Sequence, residues 1–155
     1  MENRGKQRLA HICILVRDID QAIEHYTKIL GAVSPQQFTK KATREECFAG
    51  KDRYVTAFFN AAGSACDIQL LQPLDPESPL FKRLETHGEG VHHIAFASSD
   101  LDDTVRQLND QGVSIPPDQY FFDEKTPDSR WAWIMPQHTN GVLIEVMDEY
   151  KAIEE

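Results

Sequence analysis

The sequence predicts an α+β domain made of two similar βαβββ modules. Three observations carry that expectation: chain length, an internal repeat, and a change from strand period to helix period in each half. At 155 residues the chain suits one compact domain, 1–155, with room for a real core. The repeat sets His11-Ile-Cys-Ile-Leu-Val-Arg-Asp18-Ile-Asp20 against His93-Ile-Ala-Phe-Ala-Ser-Ser-Asp100-Leu-Asp102. The offset is 82 throughout (93 − 11, 100 − 18 and 102 − 20).

Each copy opens with an alternating run that reads as a strand and passes through Asp-apolar-Asp into a helical pattern. Ile19, Ala22, Ile23 and Tyr26 recur at i, i+3, i+4 and i+7, as do Leu101, Thr104, Val105 and Leu108. Asp18 or Asp20, and Asp100 or Asp102, suit the helix N-termini, where a carboxylate meets free N–H groups. Gly31 and Gly112 fit the helix stops. Further strands are expected near 34–49, 54–61 and 66–72, and again near 114–121, 130–136 and 142–148. The modules therefore span 8–73 and 90–149. Between them lies a linker with Pro73, Pro76 and Pro79, in which Phe81 and Leu84 would pack a short helix.

The formal net charge of −9 argues against general binding to nucleic acid or an anionic membrane. No apolar run approaches the roughly 18 residues of a membrane span. The first residues lack the apolar stretch of a secretory signal. Cys13, Cys47 and Cys66 have no C-x-x-C spacing and suit reduced thiols. A cytoplasmic protein is expected.

Matching places in the two modules carry polar side chains. His11 and His93 begin the first strand of each, and Gln69 and Glu145 interrupt the last apolar strand of each. Alternation puts His11, Cys13 and Leu15 on one sheet face, and sets Gln69 and Glu145 apart from their apolar neighbours. A pseudo-twofold axis would bring the four groups together. Two imidazoles, an amide oxygen and a carboxylate form an N₂O₂ set for one divalent ion, Zn or Co first, with Ni, Mn or Fe also compatible. Hydrogen-bonded structural roles for the same residues are the alternative reading.

These residues resemble the vicinal oxygen chelate (glyoxalase/bleomycin resistance/dioxygenase) superfamily. The likeness is closest to its methylmalonyl-CoA epimerase branch. It rests on the first-strand motif above, Ile68-Gln69-Leu-Leu-Gln-Pro-Leu-Asp-Pro-Glu-Ser-Pro79, Gly88-Glu-Gly-Val-His-His93-Ile-Ala-Phe96 and Gly141-Val-Leu-Ile-Glu145. The resemblance implies a glyoxalase-like fold, with paired modules curving one mixed sheet around a metal, and a homodimer. It places the ligands on His11, Gln69, His93 and Glu145. His93 is preferred to His92 because H-I-A-F aligns with H-I-C-I, which would turn His92 to the opposite face. It also implies an epimerase or isomerase that moves a proton α to the thioester carbonyl of an acyl-CoA. Glu145 would be one acid/base and Asp52 the other, with Glu45 and Glu46 as rivals. A glyoxalase I-type lyase on a thiol adduct, and a non-catalytic binding or resistance protein, are the alternatives on the same scaffold. Lys40, Lys41, Arg44, Lys51 and Arg53 form a basic interval that would contact CoA phosphates or remain a solvated edge. Trp131 and Trp133 share a strand face and would line the pocket or pack in a core or dimer interface.

Overall fold

A computed structural model describes residues 8–64, 66–116 and 118–148. The first half runs β1 (Arg8–Leu15), α1 (Ile19–Val33), β2 (Arg44–Ala49), β3 (Asp52–Phe59) and β4 (Asp67–Pro73). A connecting helix α2 (Pro79–His87) leads to the second half. That half runs β5 (Gly90–Ala97), α3 (Leu101–Asp110), β6 (Phe121–Phe122), β7 (Arg130–Ile134) and β8 (Ile144–Met147). The strands form one curved, nearly closed mixed sheet, ordered β2-β3-β4-β1-β5-β8-β7-β6. Within each half the first strand pairs with the last in parallel, β1 with β4 and β5 with β8. The halves meet where β1 pairs antiparallel with β5. This is the glyoxalase-like α+β arrangement.

Asp18 and Asp100 cap the two repeated helices. Each accepts from the backbone N–H three residues on, at 3.0 and 2.9 Å. Asp20 and Asp102 turn outward instead, to Arg44 and Arg130. Gly31 does not stop α1. The helix runs on to Val33, and the Ser34 N–H returns to the Leu30 carbonyl. Pro35 ends it by disfavouring helical geometry at the residue before it, while Leu30 is kept helical by packing on the first core. Gly112, with φ of +84°, does follow the end of α3.

Two expected strands are shorter than their patterns. Residues 34–43 form a turn and an extended path, and pairing begins only at Arg44. Residues 114–116 and 118–120 lack a ladder because the Asn109 side chain takes both backbone groups of Ile115, and Pro116 has no N–H to donate. Only Phe121 and Phe122 pair, with Trp131 and Arg130.

Strand parity sorts the core into layers. Ile14, Val55, Ala57, Phe59 and Leu70 meet α1 on the outer face, and Ala132 and Val146 meet Leu101 and Val105 of α3. Cys13, Leu15, Cys47, Tyr54 and Leu71 turn to the inner face. There Leu80 and Leu84 of α2 close one end, while Phe81 is half-buried. Burying an aliphatic side chain of this kind contributes about 1.5–3 kcal/mol. The rest of the inner face remains open.

Candidate metal centre

The inner face holds a cavity of about 280 Å³, with a predominantly apolar lining. His11, Gln69, His93 and Glu145 all line it, and all four are buried. His11 comes from β1 and His93 from β5, across the junction of the halves. Gln69 and Glu145 come from β4 and β8 on either flank.

Three of the four groups converge directly. His93 Nε2 lies 2.8 Å from Glu145 Oε2 and 3.2 Å from His11 Nε2, and His11 Nε2 is 3.9 Å from the same carboxylate oxygen. Ligands about 2.1 Å from one ion stand about 3.0 Å apart at a right angle and about 3.4 Å apart in a tetrahedron. The observed spacings bracket both values. The three residues thus form a group able to hold a metal ion.

Gln69 adds a distinct signal. Thr56 Oγ1 donates to the Leu70 carbonyl at 3.1 Å, so its lone pair must receive the Gln69 amide N–H at 2.9 Å. That chain fixes the amide and leaves Gln69 Oε1 buried with no hydrogen-bond partner among the described residues. A buried carbonyl oxygen without a partner is costly unless a ligand completes it. The donor set therefore fits a divalent cation on chemistry as well as spacing.

His92 departs from expectation. It lines the cavity beside His93 rather than facing away, because β5 carries a bulge. Cys13 pairs with His93 while Ile14 pairs with Val91, leaving His92 as the extra residue. His92 Nδ1 lies 2.8 Å from His93 Nδ1. Burial lowers the His92 pKa to about 4, so its ring is neutral and can accept from His93. That contact turns His93 Nε2 toward the cluster, the usual arrangement behind a ligating histidine.

Protonation within the cluster is uneven. Burial lowers His11 to about 4. Burial pulls His93 the same way, but the sulfur of Cys13 and the carboxylate of Glu145 outweigh it and raise it to about 10. Burial acts to raise Glu145, but the charge and hydrogen bond of His93, together with His11 and His92, hold it below its ordinary value.

A family model described as Glyoxalase/Bleomycin resistance protein/Dioxygenase superfamily matches residues 10–132. The chain belongs to this superfamily. A protein of Bacillus subtilis, YqjC, whose function is uncharacterised, is 34% identical over 141 residues, covering 91% of each chain. Among solved structures, methylmalonyl-CoA epimerase from Mycobacterium tuberculosis is 32% identical with a TM-score of 0.71, covering 97% of this chain and 94% of that one. A variant of Streptomyces coelicolor methylmalonyl-CoA epimerase, in complex with 2-nitronate-propionyl-CoA, is 26% identical with a TM-score of 0.67. The match covers 94% of this chain and 99% of that one.

The remaining sequence candidates occupy different surroundings in this superfamily member. Asp52 and Glu45 line the cavity, and Glu46 is not among the lining residues. Asp52 accepts from the Leu80 N–H at 3.5 Å at the start of α2, and burial raises its carboxyl. Glu45 is exposed at the β2 edge, while Glu46 binds Arg53 at 2.6 Å. Of the basic interval, Arg44 pairs with Asp20 and Arg53 with Glu46. Trp131 and Trp133 both line the cavity, with Trp133 edge-on to His93. Sequence reasoning missed Thr56, Tyr54 and Asp123, which also line it. The first two were within reach, since strand parity through Phe58 puts 54, 56 and 58 on one face. Asp123 lies outside any regular strand and gave no periodic signal.

Proposed function

We propose that the protein is a metal-dependent epimerase or isomerase that moves a proton α to a thioester carbonyl. Methylmalonyl-CoA is the first substrate to test. The observation that carries this reading is the His11–His93–Glu145 cluster in the same cavity as the unpartnered Gln69 Oε1. Its likeness to methylmalonyl-CoA epimerases, one of them in complex with an acyl-CoA analogue, supports the choice of substrate class. When bound by these four residues, a divalent ion (Zn or Co first; Ni, Mn or Fe compatible) acts as a Lewis acid toward charge developing on the carbonyl oxygen.

The protein's own groups handle the proton. Glu145 is ionised at neutral pH and accepts the α-proton as the Cα–H electron pair moves into the adjoining C–C bond. Asp52 is the proposed second acid/base, with Glu45 as the nearer rival at the cavity edge. The raised pKa of Asp52 brings it closer to the value needed to return a proton. The apolar walls, Trp131, Trp133 and Phe58 among them, exclude water from the bound carbonyl.

Two further features belong to the proposal. Three free cysteines suit a reducing cytoplasm, and no described helix is long and apolar enough to cross a membrane. Leu9 and Phe96, facing each other in the β1–β5 register, are exposed apolar residues that support a homodimer. Sedimentation at graded protein concentration tests that assembly.

The central experiment follows the α-proton of methylmalonyl-CoA by NMR in D₂O, with metal-loaded protein. Enzyme-dependent exchange is expected. Its absence would remove this substrate assignment. Turnover of a methylglyoxal hemithioacetal instead would move the protein to the lyase reading, and tight ligand binding by metal-free protein would favour a binding role.

A further inference from the structure

The β3 wall of the cavity holds a polar group that the metal cluster leaves unused. Tyr54 stands on β3, paired with Cys47 of β2 and Pro73 of β4, and only 9% of its surface is exposed. It lines the cavity on the same strand face as Thr56 and Phe58. A buried phenol ordinarily has a hydrogen-bond partner. The Tyr54 hydroxyl makes no hydrogen bond among the described residues and opens onto the cavity, where a ligand can reach it.

The neighbouring polar groups are already committed. Thr56 joins Gln69 to the Leu70 carbonyl. Asp52 is tied to the start of α2, and Asp123 accepts the Lys125 N–H at 2.8 Å. Burial first, and then the acidic groups Cys47, Asp123 and Glu145 around it, push the Tyr54 phenol well above its ordinary value. It therefore stays protonated and acts as a donor. Tyr54, Asp123 and the four cluster residues all line this one cavity.

We propose that the Tyr54 hydroxyl donates a hydrogen bond to the substrate oxygen that gains negative charge as the α-proton leaves, making Tyr54 a catalytic residue of this site. The inference rests on the enolate reading proposed above. Electrons and protons balance without a co-reactant. The Cα–H bond breaks, Glu145 receives the proton, the electron pair forms the Cα=C bond, and the carbonyl π pair moves onto oxygen. Tyr54 keeps its proton and shares it with that oxygen. Fixed donors aimed at a developing oxyanion are among the strongest contributors to such reactions.

The test compares Co²⁺-loaded wild-type protein with Tyr54→Phe, which keeps the ring and removes only the hydroxyl. Acetohydroxamate, a small anionic oxygen chelator, is titrated against each and followed by the visible Co²⁺ spectrum, with neutral imidazole as the control ligand. Equal cobalt content and unchanged imidazole affinity are expected, with acetohydroxamate bound at least about tenfold more weakly by the variant. Equal acetohydroxamate affinity in the two proteins, or an equal loss for both ligands, overturns the role of Tyr54 alone. Failure of wild-type protein to take up cobalt overturns the metal reading and this inference together.

Discussion

His11 and His93 stand at matching positions in the two halves, yet they titrate in opposite directions. One falls to about 4 and the other rises to about 10. Their burial is nearly the same, at 3% exposure each. Two neighbours of His93 make the difference, the sulfur of Cys13 first and then the last strand of its own half. Beside His93 the second half places a carboxylate, Glu145, at 2.8 Å; the matching residue in the first half is the neutral amide of Gln69. The bulges repeat as well. Ala10 is skipped in the β1 register as His92 is in β5, and the two are again 82 residues apart (92 − 10). Alanine brings no ring to its bulge, whereas His92 accepts from His93. Duplication of the backbone thus produced a paired scaffold, and a few side chains made its proton inventory unequal. Before any ion binds, the cluster holds a neutral His11 and a His93–Glu145 ion pair.

The largest test of this asymmetry is Glu145→Gln, which makes the second half resemble the first. Losing the charged ligand and the partner of His93 should lower metal affinity by on the order of 100- to 1000-fold and abolish α-proton exchange. Elemental analysis after dialysis checks the first effect, and full metal retention would refute the role of Glu145. Next, His92→Ala should weaken metal binding about 10- to 100-fold with the fold intact, because His93 loses its orienting acceptor. Chelator competition beside circular dichroism separates the two, and unchanged affinity would show His92 to be a passive wall.

Acidity offers a third handle. His93 holds its proton up to about pH 10 in the metal-free cluster, and only the neutral ring can bind an ion. Proton and metal therefore compete. Apparent metal affinity should rise about tenfold per pH unit between pH 7 and 9, with release of about one proton. Chelator competition at three pH values gives the slope, and a flat response would show that His93 is already neutral. The smallest expected change is Thr56→Val. It removes both hydrogen bonds of the Thr56 hydroxyl and frees the Gln69 amide, costing about 1–2 kcal/mol in urea unfolding and several-fold in metal affinity. A larger effect on affinity than at Glu145 would reverse the order of the two halves.

Much of this arrangement was legible in the chain. The 82-residue offset and strand parity pointed His11, His93, Gln69 and Glu145 to one face, and the structure brings them to one cavity. Asp18 and Asp100 could be narrowed only to pairs, because either aspartate of Asp-apolar-Asp can reach free N–H groups. His92 was illegible for a physical reason: a bulge inserts one residue locally and reverses parity without leaving a mark in hydropathy. The shortened strands had a similar cause. Apolar residues at 34–43 and 114–120 are present, but Pro35 and the Asn109 clasp on Ile115 divert the backbone from its ladder. The Thr56 relay and the Tyr54 phenol required only that the parity rule be carried one strand further.

The β1–β5 junction also sets an order of events in folding. Its partners are some 80 residues apart in the chain, and closing such a loop costs about 4 kcal/mol in chain entropy. Pairing of first and last strands within each half spans less chain, 56 residues from His11 to Asp67 and 50 from Ile94 to Ile144, and the hairpin β2–β3 is local. Contacts that span long stretches of chain are gained slowly. The imidazoles of His11 and His93 become neighbours only after the halves have docked. Uptake of a coloured ion such as Co²⁺ during refolding would then act as a clock for that docking, lagging behind strand formation within each half.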